Sequence, residues 1–326
     1  MHYGFLGRSG LRVSRLCLGT YNFGTVTAEA EAYRIMDVAL DAGINFFDTA
    51  NHYPDFVNCG RTEEIIGRWL AQGGGRRERL VLATKVYQPM KDPLAGPNDE
   101  PGLSKYKIRH HLEGSLRRLQ TDRVELYQMH HIDRRTTWDE TWEAFATLAA
   151  QGKIDYVGSS NFPGWQLALA QAAARERHFL GLVSEQHKYN LLCRLPELEV
   201  LPAAQALGIG VIVYSPLASG MLGGRAWQPE PGSRRAGIQA WAEGARPQLE
   251  RFDKLCGDLG QPAGVVALAW LLAQPAVSAV IIGPRTVEQV RASVAAVECA
   301  LDSSARQQLN ELFPGPGGPA PEAYAW

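Results

Sequence analysis

Four polar side chains stand at or just beyond the ends of short apolar runs: Asp48, Tyr53, Lys85 and His130. The first two lie in Gly43-Ile44-Asn45-Phe46-Phe47-Asp48-Thr49-Ala50-Asn51-His52-Tyr53, which opens apolar and turns polar. Each type has a job in reducing a carbonyl. A phenol such as Tyr53 can give a proton to a carbonyl oxygen, but its ordinary pKa of about 10 is high for that traffic. An ammonium nearby, Lys85, favours the phenolate and lowers that value. Asp48 would hold the ammonium charged and in place, and His130 could hydrogen-bond the substrate oxygen. Taken singly, each has a plainer reading: Asp48 a helix cap, Tyr53 a surface aromatic, Lys85 a surface lysine, His130 a core histidine. The run His130-His131 with Asp133 could be read as a metal site. Neighbours on a strand point to opposite faces, however, so no metal is expected.

Those four residues are far apart in the chain, so the elements around them must bring them together. Residues 3–14 read as a hairpin turning at Arg8-Ser9-Gly10. Strands are expected at 16–20, 45–49, 80–85, 124–129, 155–158, 182–186, 209–214 and 277–282. Between them, periodic apolar stripes predict helices at 27–42, 62–72, 105–120, 137–151, 163–177, 195–207, 249–259, 263–273, 287–297 and 303–313. Ser104 is placed to cap the helix at 105–120, and Gly43 to stop the first helix. Alternating strands and helices imply a parallel sheet. Eight units without a linker favour one α/β domain over residues 1–326, a (β/α)8 TIM barrel with an N-terminal β-hairpin and long loops at its C-terminal face; a doubly wound sheet is the alternative. In such a barrel the residues just past the strand ends line the active site. Gly73-Gly74-Gly75-Arg76-Arg77 follows a helix and lacks dinucleotide-fingerprint spacing, so it reads as a loop on the opposite face. The tail from Phe313 to Pro319 is too rich in proline and glycine for regular structure.

Composition removes several function classes. The 326 residues are 45% apolar and 21% charged with a net charge of -1, which leaves no electrostatic footprint for nucleic acid or an anionic membrane. No apolar run approaches the roughly 18 residues of a membrane helix, and the N-terminus lacks a signal-peptide core. Cys17, Cys59, Cys193, Cys256 and Cys299 are scattered and odd in number, which fits reduced thiols in a cytoplasm.

With these motifs in place, the chain resembles the aldo-keto reductase family over nearly its whole length. The family pattern D-T-A-x-x-Y matches Asp48-Thr49-Ala50-Asn51-His52-Tyr53, and its strand-end lysine matches Lys85. Its L-Y-x-x-H strand matches Leu126-Tyr127-Gln128-Met129-His130, and G-x-S-N-F matches Gly158-Ser159-Ser160-Asn161-Phe162. The resemblance implies a (β/α)8 barrel that transfers hydride from NADPH, or sometimes NADH, to a small-molecule carbonyl substrate.

It also implies a cofactor set. Ser160, Asn161 and Gln186 would hold the nicotinamide carboxamide, and Tyr214 would stack on the ring. Ser215, Pro216, Leu217, Gly220 and Leu222 would line the pyrophosphate, with Gly19, Thr20, Tyr21 and Asp48 along the same cleft. Gly283, Arg285, Thr286, Gln289 and Ser293 would meet the adenosine end. A helix N-terminus attracts phosphate, and the Arg285 guanidinium suits a 2′-phosphate, which favours NADP(H). Ser293 stands where many relatives carry Asn, and Gln289 where some NADPH-specific members carry a second Arg.

Gly67-Arg68-Trp69, Gln128-Met129-His130-His131-Ile132-Asp133-Arg134 and Gly283-Pro284-Arg285-Thr286 are similar to a bacterial subgroup. That subgroup includes reductases of nucleotide-linked 4-keto-6-deoxyhexoses in antibiotic deoxysugar pathways. Tyr21, Phe23, Tyr87, His131 and the loops 88–103 and 223–247 are the candidates for substrate choice. Two rivals stay open: a broad aldehyde reductase, and a regulatory subunit that holds the cofactor with little turnover, as channel-associated members of the family do.

Overall fold

Short runs rich in Val, Ile, Leu and Phe, bounded by glycine or polar turns, form the strands. A computed structural model describes residues 1–92, 95–224, 243–320 and 323. Tyr3–Phe5 (β1) and Arg12–Ser14 (β2) pair antiparallel as the expected hairpin. The next strands are Leu16–Gly19 (β3), Phe46–Asp48 (β4), Val81–Val86 (β5) and Val124–Met129 (β6). Ile154–Ser160 (β7), Leu182–Lys188 (β8), Gly210–Tyr214 (β9) and Val277–Ile282 (β10) complete the set. All eight pair in parallel, and β10 returns to β3 to close a barrel. The chain is a (β/α)8 barrel with an added hairpin.

The helices are Glu29–Asp41 (α1), Arg61–Leu70 (α2), Lys105–Leu119 (α3), Trp138–Ala150 (α4), Gly164–Glu176 (α5), Val200–Leu207 (α6), Arg246–Asp258 (α7), Ala263–Leu272 (α8), Val287–Val294 (α9) and Ser303–Leu312 (α10). Ser104 caps α3, its Oγ accepting from the Lys107 N–H at 3.2 Å. The helix expected over 195–207 is broken into a single turn at Leu195–Glu197 and then α6. Pro202 has no N–H and is tolerated only in a first helical turn, so α6 must begin just before it. Likewise α9 tightens after Val294 into a 3-10 turn at Ala295–Val297. Both β7 and β8 run two residues further than expected, because Ser159-Ser160 and His187-Lys188 keep pairing beyond the apolar run.

Strand residues alternate between two cores. Outward side chains such as Leu18, Phe47, Leu82 and Tyr127 pack with the helices. Inward ones, including Cys17, Phe46, Ala83, Leu126, Ile212 and Ala279, fill the barrel. Leu6 and Val13 of the hairpin join this inner core and seal its bottom. The same alternation carries Asp48, Lys85 and Gln128 inward, one level above Phe46, Ala83 and Leu126. Register aligns them: Asp48 sits beside Ala83, and Lys85 beside Gln128. Apolar filling below thus gives way to a polar layer at the C-terminal rim. Among the described residues no single helix is long and apolar enough to cross a membrane.

Candidate active site

The polar layer is built around the Lys85 ammonium, which is fully buried. Its Nζ donates to Asp48 Oδ2 at 2.5 Å, to the Thr49 carbonyl at 2.8 Å and to Tyr53 Oη at 3.4 Å. The other Asp48 oxygen, Oδ1, accepts from Gln128 Nε2 and Gln186 Nε2, each at 2.9 Å. The plainer reading of Asp48 as a helix cap therefore fails. Burial pulls the Lys85 pKa down, yet the attraction of Asp48 and Tyr53 outweighs it and the net direction is up. Lys85 is a fixed cation.

Tyr53 departs from expectation. Burial pushes its phenol up; Lys85 pulls it down, as the sequence implies, while Asp48 pushes it up again. The net direction is upward, because loss of water weighs more on the phenolate than one shared ammonium restores. A phenol so placed keeps its proton and is poised to donate it.

Around Tyr53 lies a wall of rings. Tyr21 meets it edge-on at 4.9 Å between ring centres, and His52 and His130 at 5.0 and 5.8 Å. His131 stacks beside His130 at 5.6 Å and an angle of 12°, with Tyr87 at 5.3 Å from it. The two histidines lie past the end of β6, so the rule that neighbours face opposite ways no longer applies to them. Among the described residues no group of three potential metal ligands occurs. Burial, with the Lys85 charge behind it, holds His130 well below its ordinary pKa and His52 at about 4. Both rings are neutral at neutral pH.

The residues expected to hold a cofactor form the next part of the rim. Asn161, in left-handed backbone (φ 62°), donates from Nδ2 to the His130 carbonyl at 3.1 Å and to Ser160 Oγ at 3.0 Å. Tyr214 Oη donates to Asn161 Oδ1 at 2.8 Å, and Ser160 Oγ donates to the Gln186 carbonyl at 2.9 Å. This amide, hydroxyl and half-buried phenol ring suit a carboxamide on an aromatic ring. Gln186 differs from expectation, since its amide nitrogen is turned inward to Asp48. Thr20 also serves the scaffold: its Oγ1 donates to the Asp48 carbonyl at 2.9 Å. Gly19 leaves no room for a side chain, as a Cβ would lie 2.4 Å from Ile281 Cγ2.

Beyond Tyr214, left-handed residues recur at Ser215, Ala218, Ser219 and Gly220. Such turns make concave groups of amides that suit phosphate, and Pro216 and Leu217 lie within this bend. The Gly220 and Leu222 amides, however, both donate to the Leu217 carbonyl, at 2.8 and 3.1 Å, and so brace the turn from inside. At the far end Thr286 caps α9. Gln289 Oε1 accepts from the Arg285 amide at 2.7 Å, and Ser293 Oγ donates to the Gln289 carbonyl at 2.8 Å. Both side chains are thus turned back onto their own segment: Gln289 satisfies an open amide just before the helix start, and Ser293, in the last turn, bonds back to the carbonyl four residues earlier. Gly283 accepts from Asn22 Nδ2 at 2.9 Å. Arg285 is half-buried and has no carboxylate partner among the described residues. The nicotinamide end of the rim therefore carries groups that suit a carboxamide and a ring, the bend after Tyr214 keeps two of its expected amides for itself, and the adenosine end offers chiefly Arg285.

Several residues of the site carry no role in the sequence reading. Gln128 belongs to a recognised motif, and its signal is an amide inside an apolar strand two residues before His130. Asn51 Nδ2 donates to His111 Nδ1 at 2.8 Å, while His111 Nε2 lies 3.6 Å from Asp99 Oδ1. This chain ties the Tyr53 loop to the long loop before α3. Nothing local marks His111, which is one histidine on a helical stripe. Of the loops expected to choose the substrate, residues 93–94 and 225–242 lie outside the described residues.

Comparison with known proteins gives the same answer as the geometry. Residues 15–313 match the family model described as the Aldo/keto reductase family. The chain is 63% identical over 326 residues, all of both chains, to the uncharacterized oxidoreductase YrpG of Bacillus subtilis (strain 168). It is 34% identical over 309 residues to a probable voltage-gated potassium channel subunit beta of Oryza sativa subsp. japonica, covering 91% of this chain and 92% of that one. A protein of the same description from Arabidopsis thaliana matches at the same identity and coverage. With the barrel, its polar rim and these matches agreeing, the chain belongs to the aldo/keto reductase family.

Proposed function

We propose that the chain reduces aldehydes or ketones to alcohols with NADP(H), using Tyr53 as general acid. The observation that carries this is the buried Lys85–Asp48 pair with Tyr53 Oη 3.4 Å from Lys85 Nζ. When bound, the cofactor supplies the hydride. Tyr53 gives its proton to the carbonyl oxygen as charge builds there. Lys85, held by Asp48, steadies the phenolate left behind, and the fixed ammonium needs no reorganisation at that moment. Neutral His130 donates a hydrogen bond that orients the carbonyl. Asn161, Ser160 and Tyr214 seat the nicotinamide, and Arg285 meets the 2′-phosphate.

A nucleotide-linked keto sugar of deoxysugar synthesis is the substrate we favour; aromatic walls from Tyr21 and Tyr87 suit a sugar ring. We assign the protein to the cytoplasm, in keeping with five cysteines that form no disulfide. The test follows NADPH absorbance with 4-nitrobenzaldehyde and with a nucleotide-linked 4-ketohexose. Preference for the keto sugar supports the sugar reading, and fast turnover of the aldehyde alone makes a generalist. Tyr53→Phe is expected to abolish turnover while NADPH still binds; unchanged turnover would sink the mechanism.

The two plant relatives named as channel subunits favour a second reading, a cofactor-holding binding subunit. It predicts tight NADPH binding with oxidation in single turnovers only.

A further inference from the structure

A buried carboxyl group stands behind the end of the rim that suits a nicotinamide. Glu185, on β8, is fully buried. Its neighbour Gln186 reaches into the polar layer, so Glu185 faces the helices instead. A carboxyl is costly to bury unless its oxygens are bonded, and here both are. Oε2 accepts from Ser159 Oγ at 2.5 Å. Oε1 accepts from the Phe162 amide at 2.9 Å, and His187 Nδ1 lies 3.0 Å from it.

Ser159 and Phe162 bracket Ser160 and Asn161, the hydroxyl and amide that suit a carboxamide. The carboxyl therefore grips the chain on either side of that pair. Between the two grips Asn161 sits in left-handed backbone, at φ 62°. Such a conformation persists only where its surroundings over-determine it, and it gathers at ligand clamps. The Gln186 carbonyl adds to the hold, accepting from the Asn161 amide at 3.1 Å and from Ser160 Oγ at 2.9 Å. The sheet itself is already paired from Gly158 with Ser184 to Ser160 with Gln186. What the Glu185 side chain adds to that ladder is the path of the chain past the strand end, through Asn161.

We propose that Glu185 is a positioning residue for the cofactor: by gripping Ser159 and Phe162 it holds Ser160 and Asn161 in the pose that takes the nicotinamide carboxamide. This rests on the reading of Ser160 and Asn161 as the nicotinamide seat.

The test compares NADP+ with 2′-phospho-ADP-ribose, which is NADP+ without its nicotinamide. Isothermal titration calorimetry gives the ratio of the two affinities, and that ratio isolates the seat. Wild type is expected to favour NADP+. Glu185→Met removes both grips at similar length and should cut the ratio about tenfold, the order of one or two neutral hydrogen bonds. Its affinity for 2′-phospho-ADP-ribose should stay at the wild-type value, which also shows that the variant is folded. Glu185→Gln should keep most of the ratio. Its oxygen still takes the Phe162 amide, and the Ser159 hydroxyl can turn to accept from its NH2. Ser159→Ala removes one grip and should cut the ratio by a smaller factor; it decides the matter if Glu185→Met does not fold. An unchanged ratio in the variants that fold, or equal losses for both ligands, overturns the proposal while leaving the seat in place. A wild type that binds the two ligands alike overturns the seat itself, and the proposal with it.

Discussion

At the scale of single residues the site rests on one buried charge and its partners. Removing one member of a buried ion pair leaves the other uncompensated, at a cost of about 3–5 kcal/mol. Asp48→Ala is therefore expected to lower stability by about that much in urea unfolding. Replacing the pair together, as Asp48→Leu with Lys85→Met, should recover part of the loss, because no charge is then stranded. An Asp48→Ala protein as stable as wild type would mean that Lys85 sheds its proton at little cost and is no fixed cation. Arg285 makes the contrasting case at the far end of the rim, half-buried and without a carboxylate partner. A charge-assisted hydrogen bond is worth about 1.5–3 kcal/mol, so Arg285→Ala should weaken NADPH by about 10–100-fold in a fluorescence titration. NADH, without the 2′-phosphate, should lose little. The Glu31 carboxylate, which accepts from the Val287 amide at 3.3 Å, works against a phosphate at that helix end. Equal losses for both cofactors would remove the 2′-phosphate role from Arg285.

At the scale of elements, strand register turns sequence into geometry. Gly158, Gln128 and Ser184 meet inside the barrel, where a Cβ on Gly158 would lie 2.5 Å from Ser184 Oγ and 3.0 Å from Gln128 Cγ. Gly158→Ala should thus push Gln128 off the Asp48 carboxylate and destabilise the barrel by about 1–3 kcal/mol. Thermal unfolding reads the second effect, and an unshifted midpoint would show that Ser184 yields freely. Register also decides what is legible in the sequence. Asp48, Lys85 and His130 each follow an apolar run, so their placement at strand ends could be read directly. Gln128 sits on β6 and Gln186 on β8, but their target lies on β4, a neighbour of neither. Sequence order shows which face a residue occupies, and only the closed ring shows what it reaches. Gln289 and Ser293 go the other way: the backbone of their own segment offers partners, an open amide before the helix for Gln289 and the carbonyl one turn back for Ser293. His111 was invisible because its partners, Asn51 and Asp99, come from two separate loops.

At the scale of the whole molecule, closure of the sheet ties buried titration to unfolding. A barrel has no edge strand to peel away, and the hairpin shuts its lower end with Leu6 and Val13. Buried histidines around it are held neutral: burial puts His111, on α3, at about 3 and His52, on the rim, at about 4, and holds His130 well below its ordinary value. In the unfolded chain each titrates near 6.5. The unfolded state therefore binds these protons first, so their contribution is complete above about pH 6.5 and is lost as pH falls toward the folded values. Each tenfold step between the two states is worth about 1.4 kcal/mol, so the loss for His111 is on the order of several kcal/mol. Carboxylates add their own losses mainly below about pH 5, which leaves the interval from about 6.5 to 5 as the histidine window. Urea midpoints measured across it should fall steadily in wild type. His111→Phe should start lower at pH 7, since Asn51 loses its acceptor, and then fall less steeply. Parallel slopes for the two proteins would show that His111 finds a way to charge within the folded barrel, through water reaching Asp99, and would separate the loop latch from the acid sensitivity of the fold.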